Sequence, residues 1–137
     1  MRLFVYGTLM SGKGRAGIME PYADLVGPAS LQGDLYAVAG GLFPALLRGE
    51  GQVSGELWEA ISPGAATELL RRTDMVESYR ADREENSLYL RRLVRLDDPA
   101  GVQAWTYIWN GGRHGLTPIR SGDWREYAAL EAAHARR

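Results

Sequence analysis

The sequence predicts an α+β domain whose strands form one curled or barrel-like sheet, flanked by two or three helices. Three observations carry that expectation. Roughly six short segments have the apolar or alternating texture of strands. Helical spacing is confined to a few places, the clearest beginning at Ser62. No repeat, low-complexity tract or linker interrupts the 137 residues, so residues 1–137 read as a single domain large enough for one core.

Arg2 to Tyr6 reads as a buried first strand closed by Gly7. Ser11-Gly12-Lys13-Gly14 is a loop, and Arg15 to Glu20 a short helix stopped by Pro21. Ala29 to Val38 follows as a strand in which Gly33 marks a bend or close approach, and Ala39-Gly40-Gly41 as a turn. Phe43 to Leu47 is short and apolar, its proline suggesting a sheet edge, and Gln52 to Ala60 alternates as a strand does. Ser62-Pro63 is an N-cap followed by proline at the first helical position. Leu90 to Leu96 and Val102 to Trp109 are two strands joined through Asp97–Gly101, the pattern of a hairpin. Gly111 to Gly115 is a loop. Asp123 caps a final helix from Trp124 to about Ala133, with residues 131–137 expected as a frayed basic tail.

Composition narrows the function classes. Sixteen Lys and Arg against seventeen Asp and Glu leave a net charge of -1, with arginines scattered among acids, so no nucleic-acid footprint is expected. No apolar run approaches the length of a membrane span, and the N-terminus lacks a signal-peptide pattern; a cytoplasmic chain is the expectation. With no cysteine, thiolate metal sites, disulfides and thiol nucleophiles are all excluded. The two histidines, His114 and His134, have no histidine partner at i+3 or i+4, so no metal and no cofactor is expected. Chemistry then falls to carboxylates, hydroxyls and backbone groups. Oligomeric state leaves no readable mark.

Two places could carry that chemistry. Leu3-Phe4-Val5-Tyr6-Gly7-Thr8-Leu9-Met10 breaks a strand at Gly-Thr while staying apolar on both sides. Gly7 there serves either a simple bend or a loop that presents N–H groups and a hydroxyl to a small anionic ligand. On the helix from Ser62, at about 100° per residue, Ala66, Leu69, Leu70 and Thr73 share the core-facing arc. One further turn places Glu77 near the middle of that arc. A helix ending at Asp74 instead leaves Glu77 in a solvated loop with Arg80, Asp82 and Arg83. Aimed inward, its carboxyl is pushed toward the neutral form and becomes a candidate general acid/base. Tyr89 and Tyr107 read as strand residues bracing or lining the sheet. Arg91 and Arg92 read as a solvated face, although an inward arginine could pair with Glu77.

Phe4-Val5-Tyr6-Gly7-Thr8-Leu9, together with Asp74-Met75-Val76-Glu77 and the later Tyr89-Leu90-Arg91, resembles the signature blocks of the γ-glutamylcyclotransferase-like family, which includes γ-glutamylamine cyclotransferases and AIG2-like proteins. Val53–Trp58, Phe43-Pro44-Ala45 and Ala104–Tyr107 echo it in the same order, from residue 3 to about 127. The resemblance implies a small mixed sheet curled into a barrel with a cavity at one end. It also implies release of 5-oxoproline from a γ-glutamyl amine or peptide. In that reading Tyr6, Gly7, Thr8 and Leu9 bind the substrate and Glu77 accepts the proton. Glu77-Ser78 stands where the family often has Glu-Gly.

Such a reaction suits the residues available. The substrate's own α-amine attacks its γ-carbonyl, so no enzyme nucleophile is required. Two other readings share the same residues: a hydrolase that uses Glu77 but releases free glutamate, and a small-ligand binding module without turnover. The leaving amine would be chosen by loops such as Ser78 to Leu88 and Gly111 to Pro118.

Overall fold

Leu3, Phe4 and Val5 are buried in succession, so the first strand, β1 (Arg2–Val5), shows no polar face and belongs in the middle of a sheet. The computed structural model describes residues 1–38 and 40–135, and in it β1 lies between β3 (Phe43–Ala60) and β5 (Gln103–Trp109). The full order is β4 (Tyr89–Arg95), β5, β1, β3, β2 (Ala23–Val38) and β6 (Thr117–Pro118). The β1–β5 pair is parallel and the remaining pairs antiparallel, so the sheet is mixed. It curls into a half-barrel accompanied by two α-helices, α1 (Pro63–Val76) and α2 (Trp124–Ala135).

The curl comes from two long, bent strands. β2 begins at Ala23 rather than Ala29, because a bulge between Leu25 and Gly27 lets the Gly27-Pro28 pair stay in the ladder instead of ending it. β3 is one strand where the sequence suggested two. Residues 48–51 bulge opposite Gly33, and a Cβ at Gly49 would overlap the Asp34 carboxylate and displace it. The Asp34 Oδ1 accepts the Gly51 N–H at 3.1 Å and holds the bulge. Only β2 pairs with the Phe43–Leu47 half of β3, which explains why Pro44 is tolerated at its open side.

The β4–β5 hairpin forms with Tyr89 opposite Trp109 and Arg95 opposite Gln103. In place of the expected helix over Arg15–Glu20 there is a single 3₁₀ turn, Ala16–Ile18. β6 was not visible in sequence: two exposed residues pairing with Tyr36 and Ala37 carry no hydrophobic pattern. α2 starts where Asp123 Oδ1 accepts the Arg125 and Glu126 N–H groups, at 2.9 and 3.3 Å. It remains helical to Ala135, inside the stretch expected to fray; Arg136 and Arg137, like Ala39 of the expected turn, lie outside the described residues. Among the described residues no helix is long and apolar enough to cross a membrane.

Candidate active site

Where β1 ends, the chain turns away from the sheet and builds one wall of a cavity of about 440 Å³. The Met10 N–H closes a turn on the Gly7 carbonyl at 3.0 Å, and the Arg15 N–H bonds the Thr8 carbonyl at 3.0 Å, folding the loop back on itself. Ser11 fixes its far side by donating its N–H to Glu56 Oε1 at 2.6 Å, while Arg125 bonds Glu56 Oε2 at 3.0 Å. Gly7 does not need positive φ. It is required by packing, since a Cβ there would sit 2.5 Å from Pro44 Cγ. Among the described residues the N–H groups of Thr8 and Leu9 have no protein acceptor.

α1 delivers the opposite wall. Ser62 Oγ accepts the Ala65 N–H at 3.0 Å, Pro63 takes the first helical position, and Leu69 and Thr73 are fully buried. The helix stops at Val76, not at Asp74, and Glu77 is its last half-helical residue. Ser78, at φ 52, reverses the chain, with its N–H on Met75 O at 3.2 Å and the Tyr79 N–H on Asp74 O at 2.9 Å. This pair of bonds is a Schellman ending, which holds Glu77 in helical phase and so on the inward arc.

Half-buried on the cavity, Glu77 makes no hydrogen bond or ion pair among the described residues. Burial raises its carboxyl from 4.5 to about 7, opposed more weakly by the Arg15 guanidinium. Arg91 is not its partner. It pairs with Asp74 Oδ2 at 2.8 Å and lies between the rings of Tyr79 and Trp105, at 5.5 and 5.2 Å, while Arg92 pairs with Glu84. Asp74 Oδ1 accepts the Tyr107 hydroxyl at 2.6 Å, and Thr73 Oγ1 lies 2.6 Å from that same hydroxyl. The helix end that carries Glu77 is thereby tied to both β4 and β5.

Tyr6, Gly7, Thr8, Leu9 and Glu77 all line the cavity. The Tyr6 hydroxyl is occupied in donating to Tyr107 O at 2.6 Å, so its phenol braces the floor. Tyr89 does the same by donating to Pro44 O. Burial, first of all, holds the Tyr6, Tyr89 and Tyr107 phenols above their usual range, keeping them protonated. Arg15, Leu42 and Leu88 were not singled out in sequence, being isolated loop residues with no pattern. Leu88 belongs to the Ser78–Leu88 loop expected at the rim; none of the cavity-lining residues comes from 111–118. Among the described residues no three His, Asp or Glu side chains gather as a metal site, and His114 and His134 are both exposed.

Comparison with known proteins gives the family and the fold. Residues 3–126 match the family model described as gamma-glutamyl cyclotransferase, AIG2-like. The chain is 31% identical to the gamma-L-glutamyl-butirosin B gamma-glutamyl cyclotransferase of Niallia circulans, covering 96% of this chain and 80% of that one. It is 34% identical to the gamma-glutamylcyclotransferase family protein YtfP of Escherichia coli K12, over 90% and 96% of the two chains. The solution structure of the Escherichia coli ytfP protein superposes with a TM-score of 0.63 at 28% identity, covering 93% of this chain and 99% of that one. An uncharacterized protein of Pyrococcus horikoshii shares the fold at a TM-score of 0.71 and 23% identity, over 98% and 97%. Matched over residues 3–126 by that family model and by relatives more than 30% identical along nearly its whole length, the chain belongs to the γ-glutamyl cyclotransferase, AIG2-like family of enzymes.

Proposed function

We propose that the cavity binds a γ-glutamyl amine or peptide and cyclises it, releasing 5-oxoproline and the free amine, with Glu77 moving the proton. The observation that carries this reading is the state of Glu77: a carboxyl raised to about 7, without a hydrogen bond or ion pair among the described residues, sharing a pocket with a loop whose Thr8 and Leu9 N–H groups find no acceptor among those same residues.

The reaction follows from those groups. The Tyr6–Leu9 loop receives the substrate's α-carboxylate and main-chain-like atoms, which folds the γ-glutamyl chain so that its α-amine meets its own γ-carbonyl. The new N–C bond closes a five-membered ring, and the carbonyl electron pair moves onto oxygen. Glu77 takes the proton shed by the attacking nitrogen and returns it to the leaving nitrogen as the original amide bond breaks. Holding the two ends together contributes several kcal/mol. Proton transfer by one placed carboxyl adds about 10²–10⁴-fold, and fixed N–H donors serve the oxygen that gains charge.

The test is to incubate the protein with γ-glutamyl dipeptides, γ-glutamyl-ε-lysine and glutathione, and to measure 5-oxoproline. Glu77→Gln keeps the shape and removes the base, so 5-oxoproline formation falls by about 10²-fold or more. Equal turnover by the native and Glu77→Gln proteins would overturn the mechanism. Free glutamate in place of 5-oxoproline would make water the nucleophile, and saturable binding without product would make this a binding module.

A further inference from the structure

Arg15 is the one cation on the cavity among the described residues, as Glu77 is the one anion. Its backbone is fixed, because its N–H is bonded to Thr8 O and the chain just after it buries Ala16 and Met19, while the Arg15 side chain stays exposed at the cavity. The guanidinium forms no ion pair among the described residues, although its charge is felt by both Glu77 and Tyr89. The two opposite charges therefore face the same space without closing on each other. Around them stand apolar side chains: Leu42, Phe43, Val76 and Leu88.

A leaving group that fills this space has three parts. It has a nitrogen beside Glu77, an anionic group a short distance further on for Arg15, and an apolar substituent against the leucines. An apolar α-amino acid meets all three, since its carboxylate carbon lies two bonds from the nitrogen that Glu77 would reprotonate. Resting on the cyclotransfer proposed above, we infer that Arg15 is a specificity-determining residue that receives the free carboxylate of the departing amine and so favours anionic leaving groups over neutral or cationic ones. A guanidinium meets a carboxylate through paired charge-assisted hydrogen bonds, which no other side chain on this cavity offers.

The experiment compares kcat/KM for γ-glutamyl-leucine and γ-glutamyl-leucinamide, read as 5-oxoproline, in the native, Arg15→Gln and Arg15→Glu proteins. The two leaving amines differ in basicity, and so does the tuning of Glu77 once Arg15 is gone. The quantity read is therefore the change in the acid-to-amide ratio between proteins, in which both effects cancel. Arg15→Gln lowers that ratio by about tenfold, and Arg15→Glu lowers it further. An unchanged ratio overturns the inference, as does an equal loss on both substrates, which would place Arg15 on the γ-glutamyl half. In either case 5-oxoproline is still made and cyclotransfer stands. No 5-oxoproline from either compound, while γ-glutamyl-ε-lysine or glutathione yields it, overturns the inference and leaves cyclotransfer standing; none from any of these compounds removes both together.

Discussion

Glu77 is under two opposed demands, and they can be measured separately. Its carboxyl is raised from 4.5 to about 7 because burial penalises the charged form. Between those values the folded protein holds a proton that the unfolded chain has already lost, so the folded state binds more protons and stability falls as pH rises through that window. Above about pH 7 the penalty is fully present, at most about 3 kcal/mol. Glu77→Gln removes it. In urea unfolding the variant gains little over the native protein at pH 4 and up to about 3 kcal/mol at pH 8. Over the same window kcat/KM of the native protein rises as the base ionises, so activity grows where stability declines. A variant with no stability gain at pH 8 would show Glu77 to be better solvated than this geometry allows.

At the scale of elements, the helix and the hairpin reach the site through Asp74, Arg91 and Tyr107. Arg91→Met leaves the half-buried Asp74 carboxylate with the Tyr107 hydroxyl alone. This change costs about 2 kcal/mol, and a double-mutant cycle with Asp74→Asn shows a coupling of about 1 kcal/mol or more. The helix itself was readable from Ser62-Pro63 and the Ala66–Thr73 arc, but the inward aim of Glu77 stood beside a solvated-loop alternative, because it depended on where the helix ends. That ending was not readable. Serine rarely adopts the left-handed conformation found at Ser78, so nothing in the residue announces the reversal that ends α1 one residue before Glu77 without turning its side chain outward. The partner of Arg91 was equally hidden. Asp74 and Glu77 lie three residues apart on one helix, and only the placement of β4 against that helix decides between them.

For the molecule as a whole, the end of β1 lies close against β3 at Gly55. A Cβ there would lie 2.8 Å from the Phe4 ring and closer still to the Val5 carbonyl oxygen. Gly55→Ala therefore displaces the central strand that leads into the Tyr6–Leu9 loop. A destabilisation of about 2 kcal/mol is expected in urea unfolding, with cyclotransfer reduced alongside it. The α+β class was legible because buried strands and amphipathic helices leave periodic traces. The bulges at Leu25–Gly27 and residues 48–51 were not, because a glycine that ends a strand and one that bends it look alike in sequence. The cavity was foreseen only through the family resemblance, since it is a product of that curl.

The isolation of Glu77 has an evolutionary consequence. Because Glu77 makes no hydrogen bond or ion pair among the described residues, and Arg15 opposes its burial only weakly, Glu77→Gln breaks no direct contact and relieves a stability penalty. A single nucleotide change in a glutamate codon is enough to make it. A lineage released from selection for turnover can drift in one step to a sturdier protein with the same pocket. If Glu77 moves the proton as proposed, silent descendants that only hold their ligands are expected to arise repeatedly across such a fold, and an intact carboxylate at this position would mark a chain still under selection for chemistry.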